Sequence, residues 1–257
     1  MKKALCSALA AYRRYKAAKA SNKAYRIVRY LLVSATIAYV LLLSFPQVLF
    51  AHEISYRDLK VYSREPLDQN IYAVLDKVES RLATSEINNR EIRPKIFITN
   101  SHGLYAFISM YVGSNYSFGE CFLVLPTNNI FINKSDVARD LVFRRTVANN
   151  ERSLSGVIAH ETTHLLIRKK FGYWRNLTMP AWKKEGYAEY VAGGPTLSYE
   201  TGVRMWKENP KDGTGYQYFK YYMLVKHLLE HDKLSVEDLF NRDFDVQSLE
   251  EKVLNSL

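Results

Sequence analysis

The sequence predicts an α+β domain preceded by a single transmembrane helix, and three observations predict it. An uncharged apolar run covers Tyr30 to Ala51. Up to Lys134 the chain carries short apolar segments of strand character, and after it helical periodicity dominates. No repeat, low-complexity tract or Gly/Ser-rich linker interrupts residues 52–257, which therefore form one domain of about 200 residues. Strands gathered early and helices late give a small mixed sheet followed by helices, rather than an alternating α/β fold.

The charge of the chain divides in the same place. Its formal net charge is +10, a value that points to nucleic acid or a membrane surface until the charges are located. Nine of the 36 basic residues lie in positions 1–29, where no acidic residue occurs; from position 30 onward 27 basic residues face 26 acidic ones. The body of the chain is thus near neutral, and a nucleic-acid partner loses its support. Residues 1–29 form a basic cytoplasmic tail and residues 30–51 a signal anchor, since 22 residues span about 33 Å as a helix, enough for a hydrocarbon core of about 30 Å. The positive tail places the N-terminus in the cytoplasm and residues 52–257 outside it. Pro46 falls near the outer end, where a kink is tolerated. Leu49 and Ala51 loosely match a signal-cleavage site, which leaves a secreted form as the alternative. With Cys6 in the tail and Cys121 alone in the domain, no intradomain disulfide is expected, and Cys121 reads as a small buried residue in a strand.

Within the domain, "ISYRDLKVYS" has strand character. Ile71, Val74, Leu75, Val78 and Leu82 repeat at helical spacing, and "KIFITN" is a short apolar strand. "GLYAFISMYV" fits either state. "CFLVLP" and "IFINK", separated by "TNN", are expected to pair as a hairpin. Helices are expected from Ser153 or Ser155 to Lys170, from Pro180 to about Ala192, from Tyr216 to about Glu230, and twice more near the end.

The chemistry lies in "SLSGVIAHETTHLLIRKKFG", Ser153 to Gly172. On a helix His160 and His164 project from one face a turn apart, so both imidazoles can reach one tetrahedral metal ion. Glu161 is offset enough to miss the ion yet can reach a water bound to it. Zinc lowers the pKa of such a water from about 16 toward roughly 7, and the carboxylate takes the proton as a carbonyl is attacked. The bland alternative is two polar residues opposite a core face of Val157, Ile158, Leu165 and Leu166.

A third ligand decides between them. The metzincin pattern would place its third ligand, a histidine, at position 170 with Gly at position 167, but Ile167 and Lys170 stand there. "MPAWKKEGYAEYVAGG" supplies a carboxylate instead: Glu185, on a helix opened by Pro180. Glu189, one turn on, can accept the free ring N–H of a ligand histidine. Two carboxylates at this spacing repel unless a cation is near.

"VIAHETTHLL" followed by "MPAWKKEGYAEYVAG" resembles the gluzincin group of zinc metallopeptidases, in particular the bacterial peptidase MA-like proteins. The resemblance covers Ser153 to Gly194. It implies a zincin-like fold, one Zn2+ held by His160, His164 and Glu185, Glu161 as general base, and a protein or peptide as substrate. Two departures stand out: Lys183 and Lys184 replace an apolar and a small polar residue common in relatives, and the Gly-Ala-Met-Glu-Asn motif of exopeptidases is absent, which favours an endopeptidase. A donor to the developing oxyanion is also needed. Gluzincins commonly draw it from a later helix, where Tyr218 and then Tyr222 are the candidates. His227 and His231 are one turn apart but read as a solvated face. The substrate is expected to add a strand to a sheet edge beside the metal helix, with Asn129 or Asn133 as polar contacts. The expected function is therefore a metallopeptidase of the bacterial cytoplasmic membrane acting outside the cytoplasm. The alternatives are a catalytically silent zincin-fold binding module with a structural zinc, and a lipid-bound scaffold with a fortuitous motif.

Overall fold

The computed structural model describes residues 16–17, 22–89, 91–92, 94–109, 117–145, 151–208 and 214–257. Most of the basic tail, with Cys6, lies outside them. The chain divides after Pro46 into two compact units.

The first unit carries helix α1, Lys23–Ser44, opened by Asn22, whose side chain accepts from the amides of Ala24 and Tyr25. It is long and apolar enough to cross a membrane, and leucines such as Leu31 and Leu32 are exposed along it. The helix does not follow the apolar run of residues 30–51. It starts earlier, taking in Lys23, Arg26 and Arg29, and stops at Ser44. Pro46 has no N–H to continue the ladder and disfavours helical backbone at the preceding Phe45. The chain goes on as a 3-10 turn, Pro46–Leu49. From Gln47 it belongs to the second unit, where Phe50 packs its ring 5.1 Å from that of Phe97.

The second unit is α+β. β1 (His52–Tyr56) and β2 (Leu59–Ser63) form a hairpin about Arg57, whose φ is 52°. α2 (Ile71–Leu82) buries the five apolar residues its periodicity marks. β3 (Lys95–Ile98) and α3 (His102–Ile108) follow, then β4 (Gly119–Glu120) and β5 (Asn129–Ile132). The sheet runs β1-β2-β3-β5-β4, with β2, β3 and β5 parallel and both outer pairs antiparallel. Alternation sorts its side chains: Val61, Ile96, Ile98, Ile130 and Ile132 join the main core, while Tyr62, Phe97 and Phe131 stack on the other face. Interior parallel strands are covered on both sides, which is why each carries three successive apolar residues, Ile96 to Ile98 and Ile130 to Ile132.

Two strand expectations are corrected here. "CFLVLP" is not a strand, and the antiparallel partner of β5 is the two-residue β4, with the chain from Cys121 onward turning back. Cys121 is buried, as expected, but lies just past β4 with its thiol 3.6 Å from the Glu161 carbonyl. In addition, β6 (Ser135–Asp136), β7 (Leu141–Phe143) and β8 (Glu151–Ser153) make a small antiparallel sheet that the sequence did not announce.

The helices follow: α4 (Leu154–Phe171), α5 (Tyr173–Thr178), α6 (Ala181–Val191), α7 (Tyr199–Glu208), α8 (Thr214–Lys226), a π turn (His227–His231), α9 (Val236–Asn241) and α10 (Val246–Asn255). α4 and α8 both pack on α6. At Gly186 the approach of α8 is so close that a β-carbon would lie 2.3 Å from the Tyr221 carbonyl oxygen, so only glycine fits.

Candidate metal centre

Helix α4 is held at its start by more than one cap. Ser153 Oγ accepts from the Gly156 amide, while Asp140 accepts from the Ser155 amide at 2.7 Å and its hydroxyl at 2.9 Å. An acceptor set against these otherwise unpaired N–H groups fixes the first turn. Gly172, at φ 88°, ends the helix beyond Arg168, Lys169 and Lys170, whose charges suit its negative end.

The helix has no polar outer face at its centre. Val157, Ile158, Leu165 and Leu166 are buried as expected, but so are His160, Glu161, Thr162, Thr163 and His164. The threonines bond back to the carbonyls of Ile158 and Ala159. The histidines have no such outlet. Their Nε2 atoms are 3.2 Å apart, and each lies 3.4 Å from Glu185 Oε2 of α6.

Among the described residues, this trio is one of two groups of His and carboxylate donors close enough to hold a metal ion. Three donors bound at about 2.0–2.1 Å in a tetrahedral site lie about 3.3–3.4 Å from one another. The triangle of 3.2, 3.4 and 3.4 Å matches that requirement, and two imidazoles with a carboxylate are a donor set suited to zinc. The residues therefore fit such an ion.

Glu189 stands one turn beyond Glu185 and faces the other nitrogen of the same ring: its Oε1 is 3.2 Å from His160 Nδ1. A carboxylate thus lies beside each ring nitrogen of His160. The sequence did not reveal what holds Glu189. Arg152, in β8, donates to both carboxylate oxygens, at 3.0 and 2.5 Å, and to the Gly194 carbonyl at 3.2 Å. With Glu189 2 % and Arg152 12 % exposed, this is a buried, two-pronged ion pair. Nothing in the local pattern around Arg152 marks it, because the small sheet that presents it was itself illegible.

The electrostatics follow from this crowding. Burial opposes a charge on His160, yet Glu189, Glu185 and Glu161 outweigh it and lift its pKa to about 10. Burial likewise works against the charge on Glu185, but His164 and His160 hold it far below the usual carboxylate range. Glu189 is lowered too, with burial overcome by Arg152 and His160. Anionic carboxylates without a metal attract protons to the imidazoles, and a dication entering the trio displaces them.

Tyr218 of α8 reaches this group: its ring centroid is 6.4 Å from that of His160. Although the residue is 37 % exposed, local desolvation together with Glu185, Glu189 and Glu161 pushes its phenol up, so it keeps its proton as a donor at neutral pH. Tyr222 is placed otherwise, near Gly194 and with Lys226 5.7 Å from its ring centroid. Lys183 and Lys184 have their ammonium groups bound elsewhere than at the trio. Lys183 donates to the Arg242 carbonyl between the rings of Trp182 and Phe244, and Lys184 donates to the Asn176 carbonyl.

The expected substrate contacts are also displaced. β5 is an interior strand, and Asn129 and Asn133 are 3 % and 0 % exposed. Asn133 is bound to His102, the Lys134 amide and the Ser117 carbonyl. The sheet edge beside α4 is β4, where a β-carbon on Gly119 would meet Val157 at 2.8 Å. The pair His227 and His231 is not a plain solvated face either: His231 is exposed, but the His227 side chain is only 8 % exposed, and Asp232 joins them.

Compared with protein-family models and with curated proteins, the chain matches none.

Proposed function

We propose that this chain is a membrane-anchored zinc metallopeptidase of gluzincin type, similar to the peptidase MA-like proteins and built on a zincin-like fold. It hydrolyses peptide bonds of proteins outside the cytoplasm. The observation that carries this reading is the triangle of His160, His164 and Glu185 donors, 3.2 to 3.4 Å on each side, beside a buried Glu161.

In this reading His160, His164 and Glu185 hold the ion. When bound, zinc supplies Lewis acidity toward water and a peptide carbonyl. Glu161 is the base that takes a proton from the attacking water and returns it to the leaving amine. Tyr218, kept protonated by its anionic surroundings, donates to the carbonyl oxygen as negative charge gathers there. Glu189, fixed by Arg152, orients the His160 ring through Nδ1. An extended substrate lies along β4, the strand at the sheet edge beside α4. A basic N-terminal flank on α1 supports an orientation with the tail in the cytoplasm and the domain in the periplasm or outside the cell.

Metal removal tests the reading. Incubating the full chain with a strong zinc chelator, then dialysing it, is expected to abolish cleavage of a mixed peptide library. Added zinc restores cleavage and magnesium does not, because imidazole donors disfavour magnesium. Cleavage that persists in the metal-free chain contradicts it.

A further inference from the structure

We propose a second metal site, formed by His227, His231 and Asp232 and selective for a late divalent transition ion such as Zn2+. It lies outside the trio on α4 and α6, and no step of the proposed reaction uses it. One donor atom from each of its three residues lies within 4.8 Å of the other two.

The backbone explains why these residues meet. In an α-helix, positions 227 and 232 diverge by about 140° around the axis. Here the helix ends in a π turn, and the Asp232 amide donates to the His227 carbonyl at 3.0 Å, which brings the aspartate back over the first histidine. Asp232 Oδ1 then lies 3.6 Å from His227 Nε2 and 2.9 Å from His231 Nδ1.

A second observation points to a ligand. His227 Nε2 is buried with no hydrogen-bond partner, on a side chain only 8 % exposed, and the nearby group it faces is Asp232. A buried ring nitrogen without a hydrogen bond is costly unless something binds it. The two rings are stacked, with centroids 4.5 Å apart and planes 14° from parallel. Binding one ion therefore requires the exposed His231 ring, 69 % accessible, to turn its lone pair inward while His227 stays fixed. Two imidazoles and one carboxylate select zinc, nickel or copper over magnesium or calcium.

Lys252 competes for this position. Its ammonium sits 2.9 and 2.8 Å from the two Asp232 oxygens, so an incoming cation has to displace it. The site is accordingly the weaker of the two, and removing that charge strengthens it.

The test strips the full-length chain with chelator, titrates it with zinc alone and counts bound metal per chain. The parent is expected to take two equivalents, and His231→Ala, altering an exposed ring, to take one. Glu185→Gln is expected to lose the other equivalent, so the two sites fail independently. Lys252→Met is expected to tighten the weaker equivalent about tenfold. A His231→Ala chain that binds as much zinc as the parent overturns the proposal, as does a parent whose zinc is all lost with Glu185→Gln. Magnesium alone binding at this site as tightly as zinc also contradicts it.

Discussion

Replacing Glu161 by Gln leaves the zinc content of the chain unchanged and lowers its rate of peptide cleavage by about 10²- to 10⁴-fold, the range of a lost general base. The amide has nearly the same size and fits the same buried place, but it cannot accept the proton that the carboxylate takes. Glu161 is not one of the three donors in the 3.2 to 3.4 Å triangle, which is why metal binding and rate separate. Parallel metal analysis and peptide assays on the two proteins check this. Equal rates remove Glu161 from the mechanism and leave a zinc-stapled binding module; loss of zinc makes Glu161 part of the metal site.

Arg152→Met is expected to destabilise the second unit by ~3–5 kcal/mol, because it strands the Glu189 carboxylate in a site 2 % exposed. Adding Glu189→Gln to that variant removes the stranded charge and recovers much of the loss, since paired buried charges are poorly additive. Chemical denaturation of the parent, both single variants and the double variant, in one detergent, measures the coupling. Additive losses would show that the two side chains do not interact in the folded chain. Because Glu189 also faces His160 Nδ1, Glu189→Gln alone is expected to weaken zinc binding by about 10- to 100-fold.

What the sequence disclosed and what it withheld have physical causes. The donors were legible because the i, i+4 spacing of His160 and His164 and that of Glu185 and Glu189 each lie within one helix, where geometry is set locally. α2 was legible for the same reason, with all five of its periodic apolar residues buried. Arg152 was not, since its meeting with Glu189 depends on a sheet of two- and three-residue strands, too short to show a period. The expected hairpin misplaced its first strand because "CFLVLP" is apolar enough for one, yet only Gly119 and Glu120 pair with β5. The buried Asn129 and Asn133 misled in a related way, since polar residues flanking a turn usually meet solvent. Asp232 is not legible as a partner of His227 because an α-helix would turn it away, and only the π turn reverses that.

X-ray absorption at the zinc edge tests the central claim most directly, using the full-length His231→Ala chain loaded with one equivalent so that the trio alone is occupied. The account predicts two imidazole nitrogens and carboxylate oxygen at about 2.0–2.1 Å, with the imidazole signature halved by a further His164→Ala change. A spectrum without imidazole, or one that neither His164→Ala nor Glu185→Gln alters, would contradict it.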